Sequence, residues 1–220
     1  MIVSRARGFL FVHIPKTGGT AVTRALEAQA PPDDLLIADT PEARRRRPTL
    51  RGLRPRGRLW KHATLADIEG VVAPEEFDRL LVWTLVRNPW DRVASYYHWL
   101  RAQSFAHPAV ARARAGNFAA FLRHPDTLAE LAAWPARRYL SDSHGRERRA
   151  LFVRIERFAE EIGPVEALLG HPLRLPRINA SDRPRDWRLL YDAEGADLVG
   201  RALAEDAARF GYDFNGISTS

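Results

Sequence analysis

The run "FLFVHI", residues 9 to 14, is continuous in apolar, β-branched and aromatic side chains, and two glycines follow within five residues. A strand buried on both faces reads this way, because neither of its faces carries a polar row. The next stretch, "TAVTRALEAQ" at 20 to 29, sets Val22, Ala25 and Leu26 on one side at helical spacing. Strand, glycine loop and helix in that order commit the chain to an α/β architecture, with whatever the loop binds held at a strand end.

The rest of the chain repeats the alternation. "DLLIAD" (34 to 39) reads as a second strand, and residues 40 to 58, with proline, glycine and eight arginines, read as an exposed loop. "RLWKHA" offers a short strand, and "TLADIEGVV" starts a helix with Thr64 as N-cap and Asp67 three residues on. "RLLVWTLV" (79 to 86) is a strong strand that ends at Arg87, and Pro89 falls where a first helical turn tolerates it. The helix runs on through "WDRVASYYHWLRA". Residues 117 to 140 are helical with breaks at Pro125 and Pro135, and "LFVRI" (151 to 155) is a further buried strand backed by "ERFAEEIGPVEALLG". "AEGADLVGRALAEDAARFG" closes the chain as one amphipathic helix. Strands alternating with helices predict a parallel sheet flanked by helices on both faces, built as a single domain over residues 1 to 220.

Bulk composition narrows the function classes. The formal charge is +7, the reflex signature of a nucleic-acid binder, yet the arginines are scattered among acids and the only tight run is "RRRRP" at 44 to 48. A small anionic ligand or an acidic polymer accounts for that excess equally well. The chain has no cysteine, which excludes disulfides and thiolate metal sites. The apolar run near the N-terminus is too short to span a bilayer and no cleavage-site pattern follows it, so the expected location is the cytoplasm. Of 34 basic residues only Lys16 and Lys61 are lysines, and both fall in the segments that matter below.

"HIPKTGGT" (13 to 20) has the lysine, hydroxyls and glycines of a phosphate loop, but in inverted order: Lys16 and Thr17 precede Gly18 and Gly19. Ligands of open parallel sheets bind beyond the carboxyl ends of strands. Three polar clusters are expected at such ends: Lys16 to Thr20, then Lys61 with His62, then Arg87. Gly18 and Gly19 let backbone amides close round an anion, the helix N-terminus adds positive field, and Thr17 and Thr20 add hydroxyls. In "RNPWDRVASYY" (87 to 97), Arg92 and Ser95 share a helix face with Asn88 by i+3 and i+4 spacing. An arginine and a serine there can converge on a second anionic group. The alternative is an arginine that merely pairs with Asp91.

These segments together resemble the sulfotransferases that use 3′-phosphoadenosine 5′-phosphosulfate, and most of all the group of carbohydrate enzymes that includes heparan sulfate 2-O-sulfotransferase. "HIPKTGGT" resembles that family's 5′-phosphosulfate loop and "RNPWDRVASYY" its 3′-phosphate motif R-[ND]-P-x-D-R-x-x-S. "WKHATLADI", "VRIERFAEEI" and "INASDR...LLY...LAEDAARFGYDF" extend the likeness over nearly the whole chain. The resemblance implies a fold like that of P-loop nucleotide kinases and transfer of a sulfuryl group to an acceptor hydroxyl, on a carbohydrate or small metabolite. It implies that Pro15, Lys16, Thr17, Gly18, Gly19 and Thr20 hold the donor's 5′ end, with Lys16 near the bridging oxygen. Arg87 and Ser95 then hold the 3′-phosphate, and Asn179, Ser181 and Arg183 are cover-loop contacts. It implies no metal, since lysine and amides supply the positive field; from the charge pattern and the short apolar run, neither a nucleic-acid partner nor a membrane span is expected.

The acceptor needs a proton acceptor, and His62 is the expected general base, with His13 second and a packing role as each one's alternative. A midpoint near 6.5 or lower is expected for His62, with Lys61 and Arg87 opposing further positive charge. Lys61 is left open between donor, acceptor and surface roles. The chain reads "WPARRYL" where relatives often carry a P-Q pair, and it lacks the K-G-x-x-G-D-W-K loop of the steroid and phenol enzymes. Two rivals are a small-molecule kinase, which would need carboxylates for magnesium beside Thr17, and an arginine-rich nucleic-acid module.

Overall fold

The computed structural model describes residues 1–176 and 184–218. These group into two compact units, residues 1–86 with 136–176 and residues 87–135 with 184–218.

The first unit is built on a five-stranded sheet of order β3-β1-β2-β4-β5. Its strands are β1 (Ile2–Ser4), β2 (Phe9–Val12), β3 (Leu35–Leu36), β4 (Leu81–Val86) and β5 (Leu151–Arg154). β2, β4 and β5 run parallel, in the register Val12↔Thr84 and Val86↔Arg154. β1 is antiparallel to both β2 and β3, so the expected parallel sheet is realised in its three main strands and becomes mixed at one side. All four residues of β2 are buried, as the unbroken apolar run demands. Phe9, Phe11, Trp83, Leu85 and Val153 share one core cluster with Val22 and Leu26 of α1 (Gly19–Glu27) and with Ile162 and Val165. Trp83 is the largest fully buried side chain among the described residues, its ring 4.6 Å from Phe11 and 6.4 Å from Phe9. Burying each such side chain is worth roughly 1.5–3 kcal/mol, which is what fixes β2 and the loop that leaves it.

The remaining helices of this unit are short: α2 (Pro41–Arg45), α3 (Leu65–Ile68), α4 (Pro74–Arg79), α9 (Ala136–Tyr139), α10 (Phe158–Glu161) and α11 (Gly163–Leu169). Thr64 caps α3 as expected, and Asp67 completes the capping box. The "RLWKHA" strand does not form. Ala63 N–H turns back to Trp60 O at 3.0 Å, and the preceding Arg56 and Gly57 amides bond to Glu69 and Asp67 carbonyls at 2.8 and 2.9 Å. With those donors committed to a loop, the segment is not laid against a strand ladder.

The second unit holds α5 (Pro89–Arg101), α6 (Pro108–Ala115), α7 (Phe118–Arg123), α8 (Pro125–Ala132), α12 (Ala193–Ala202), α13 (Ala204–Phe210) and a hairpin of β6 (Tyr212–Asp213) with β7 (Gly216–Ile217). Pro125 separates α7 from α8 where the sequence places a break. The closing helix is two helices, interrupted at Leu203, which leaves helical geometry at φ −115°, ψ 25°. Among the described residues no helix is long and apolar enough to cross a membrane.

Candidate functional site

The loop between β2 and α1 is set by backbone geometry before any side chain is considered. Lys16 has φ 66°, the only positive φ outside glycine among the described residues, and Gly18 follows at φ 92° as N-cap of α1. A lysine in the left-handed region costs on the order of 1–3 kcal/mol, and such strain persists only where the surroundings impose it. Here they do. Thr17, fully buried, donates its hydroxyl to Ile14 O at 2.8 Å and closes the turn from within. That hydroxyl proton is therefore spent inside the loop, and what Thr17 has to offer an anion is its backbone N–H. Thr23 donates to Gly19 O at 2.8 Å and steadies the first turn of α1.

The two glycines are required for different reasons. A Cβ on Gly18 would lie 2.3 Å from Ile155 Cδ1, on top of the cost of its positive φ. A Cβ on Gly19 would lie 2.2 Å from Cδ2 and 2.5 Å from Nε2 of His13. The His13 ring is buried against that helix start and stacks on Phe11 at 6.1 Å, which assigns it the inward packing role and explains Gly19, as Ile155 explains Gly18, as well as anion access does. Gly19→Ala is accordingly expected to cost about 1–3 kcal/mol through overpacking and to weaken any anion bound at the α1 N-terminus. A melting curve and a calorimetric titration with adenosine 3′,5′-bisphosphate check both; an unaltered protein would mean that the loop is looser than its geometry implies.

His62 reaches this loop although no strand carries it there. Its Nδ1 lies 2.8 Å from His13 O. A carbonyl only accepts, so Nδ1 carries the hydrogen and, in the neutral ring, Nε2 carries the lone pair. The ring also meets the His13 ring edge-on at 4.5 Å and the Trp60 ring at 5.1 Å. Burial pushes the His62 pKa down to about 3, with the hydrogen bond to His13 acting against that shift and Lys61 adding to it. The direction agrees with the sequence reading, but the leading cause is desolvation. His13 is driven well below its ordinary value by burial first and by His62 next. Lys61 itself turns away to Asp39, Nζ to Oδ2 2.9 Å, and holds that carboxyl below its usual range.

Both histidines are thus neutral in the folded chain while the unfolded chain protonates near pH 6.5. As pH falls below that value the unfolded state gains protons that the folded state refuses, so stability drops from pH 6.5 down toward about 3 for His62. The slope is at most about 1.4 kcal/mol per pH unit for each histidine. Urea midpoints at neutral and acid pH should show this loss, and His62→Asn should flatten it.

In the second unit, Asn88 caps α5: its side-chain oxygen accepts from Trp90 N at 3.1 Å, and its amide donates to Asp213 O at 2.9 Å and Gly216 O at 3.2 Å. Trp90 Nε1 donates to Ala196 O at 2.7 Å, so the start of α5 is anchored to both the hairpin and α12. Arg87 pairs with Asp91 through Nε at 2.7 Å and Nη2 at 2.6 Å, the alternative the sequence left open. Arg92 lies 3.4 Å from Asp206, and Ser95 is buried on the same helix. Lys16, Thr17, Gly18, Gly19, Thr20, Pro15 and His62 belong to the first unit, and Arg87 and Ser95 to the second. Asn179, Ser181 and Arg183 lie outside the described residues. Among the described residues no group of three or more His, Asp or Glu could hold a metal ion.

The sequence missed Trp60 and the His13 carbonyl as parts of this site. A lone tryptophan before "KH" gave no signal of its own, and a backbone acceptor leaves none in a sequence. No family model matches this chain, and no curated protein does. Among solved structures, the mouse sulfotransferase SULT7A1 complexed with PAP is similar at 15% identity and a TM-score of 0.38, over 91% of this chain. The chain spans 65% of that protein's length.

Proposed function

We propose that this chain is a sulfotransferase that moves a sulfuryl group from 3′-phosphoadenosine 5′-phosphosulfate to an acceptor hydroxyl. The observation that carries the reading is the β2–α1 loop, with its left-handed Lys16, its buried Thr17 and a helix N-terminus, and with His62 hydrogen-bonded to the carbonyl at its start. The donor set suits an anion with a reactive group beside it. Backbone amides of Thr17 to Thr20 face the 5′-phosphate, whose charge the α1 N-terminus favours. Lys16 neutralises charge that grows on the bridging oxygen as the S–O bond breaks and its electron pair passes to the phosphate. His62 Nε2 takes the acceptor's proton as the hydroxyl oxygen bonds to sulfur. The products are the sulfated acceptor and adenosine 3′,5′-bisphosphate. An imidazole with a pKa of about 3 is a weak base, and the negative donor raises its basicity on binding.

Arg87 and Ser95 are assigned the 3′-phosphate. The Asp91 pair fits this role, because a guanidinium has five donors and a carboxylate on one edge fixes the direction of the others. The bisphosphate product should therefore bind far better than AMP. Arg87→Ala should cut bisphosphate affinity tenfold or more, as the loss of a charge-assisted contact worth ~1.5–3 kcal/mol requires, and leave AMP nearly unaffected. Calorimetry with the two nucleotides tests this, and equal affinities in the unmutated protein would refute the assignment.

A further inference from the structure

A single hydrogen bond does not fix where the lone pair of His62 points. With Nδ1 donating to His13 O at 2.8 Å, the imidazole can still swing about that bond, and Nε2 sweeps an arc as it does so. Ring contacts restrict the arc. The His13 ring meets the imidazole at 4.5 Å and 69°, and the Trp60 ring meets it at 5.1 Å and 87°. His13 is buried at the strand end, whereas Trp60 is 38% exposed in a loop and takes no part in the core cluster around Trp83. Two features hold the indole there. Trp60 O accepts from Ala63 N at 3.0 Å, a turn that folds residues 60–63 and brings the Trp60 and His62 side chains together. The Arg58 guanidinium lies over the indole, 5.0 Å from its centre.

An aromatic ring edge-on at such a distance leaves no room for water against that part of the imidazole. Trp60 therefore limits the swing of His62 and keeps solvent from it. Burial is the leading cause of the low His62 pKa, and the indole supplies part of that burial. The charged groups that act on the ring are Lys61 and the Met1 amine, which lower its pKa, and Asp39, which raises it. These are tied to one another without the indole: Lys61 Nζ lies 2.9 Å from Asp39, and the Met1 amine donates to Lys61 O at 3.1 Å. Removing the indole thus changes the hydration and freedom of His62 and leaves its charged neighbours in place.

We propose that Trp60 is a positioning residue for proton transfer: with Arg58 over its ring, it holds the His62 imidazole so that the Nε2 lone pair keeps one direction. This rests on His62 being the base of the sulfotransferase reading, but the hold on the ring can be read without turnover.

Nuclear magnetic resonance of histidine labelled with ¹³C at Cε1 and with ¹⁵N reads each ring separately, and His62→Asn identifies the signal of His62. In the unmutated protein that signal should not titrate from about pH 8 down to about pH 5, and its nitrogen shifts should place the hydrogen on Nδ1 alone. In Trp60→Ala it should titrate with a midpoint of about 5 or higher, nearer the ordinary 6.5, with the hydrogen shared between both nitrogens as water returns to the ring. Trp60→Phe keeps a ring edge and should stay close to the unmutated protein. Arg58→Gln leaves the indole in place and should shift the titration the same way by less, which carries the test where Trp60→Ala does not fold. In turnover, Trp60→Ala should lower kcat ~10–10²-fold with donor KM unchanged and raise the acid limb in step with the titration, and Trp60→Phe should recover most of the rate. A His62 titration that neither Trp60→Ala nor Arg58→Gln moves overturns the proposal. So does full turnover in Trp60→Ala, or a Trp60→Phe that behaves like Trp60→Ala in both readouts. Absence of sulfuryl transfer by the unmutated protein would refute the sulfotransferase reading by itself, and the titration would still decide whether Trp60 holds the ring.

Discussion

His62→Ala is expected to lower turnover by ~10²–10⁴ while donor affinity stays nearly intact, the range for removal of a positioned general base. The physical basis is the tautomer. Nδ1–H is held by His13 O at 2.8 Å, so the lone pair is fixed on Nε2. With the imidazole pushed down to about 3, it stays neutral through the ordinary working range, and an acid limb of kcat/KM due to His62 should begin only near that value. A limb centred near 6.5 would mean that this ring is more exposed in the working enzyme. If His62→Ala keeps most of the rate, the base lies elsewhere and the ring is a packing element between His13 and Trp60. Single-turnover kinetics with saturating donor separate these outcomes, because they read chemistry without product release.

Lys16→Ala is expected to reduce turnover more than it reduces bisphosphate affinity, because the ammonium matters most when charge appears on the departing phosphate. A loss on the order of 10²–10³ matches removal of one transition-state charge stabiliser. Lys16→Arg should recover little. The lysine's backbone is at φ 66°, so the direction in which its side chain leaves the loop is fixed, and a planar fork cannot occupy the place of a compact ammonium. Normal turnover in Lys16→Arg would remove the case for a compact charge here. Comparing kcat with the bisphosphate dissociation constant for each variant checks both statements.

What could be read before the structure follows the physics of each segment. β2 and β4 were legible because strands buried on both faces are almost wholly apolar, and the β2–α1 loop because a glycine pair marks the tight turn between strand and helix. β1 was not, since three residues paired antiparallel carry no period, and its addition makes the sheet mixed. "RLWKHA" misled because an apolar pair, Leu59 and Trp60, after turn residues can be read as a short strand, while the amides before it are spent on the loop at Asp67 and Glu69. The break at Leu203 has neither glycine nor proline to announce it. For the site, Lys16 and the glycines were found through their order in the chain. His62 was found through its residue type and its place in a motif, and what orients it, a main-chain carbonyl 49 residues away, had no side chain to reveal it.

The central claim is sulfuryl transfer at the β2–α1 loop, and sulfur-labelled donor tests it most directly. With labelled 3′-phosphoadenosine 5′-phosphosulfate and a panel of carbohydrate and small-metabolite hydroxyl acceptors, mass spectrometry should show label on an acceptor and adenosine 3′,5′-bisphosphate released in equal amount. The rate should be unchanged by chelator and strongly reduced in Lys16→Ala. Absence of label on any acceptor, together with magnesium-dependent transfer of phosphate from ATP, would contradict the account and identify the loop as that of a kinase.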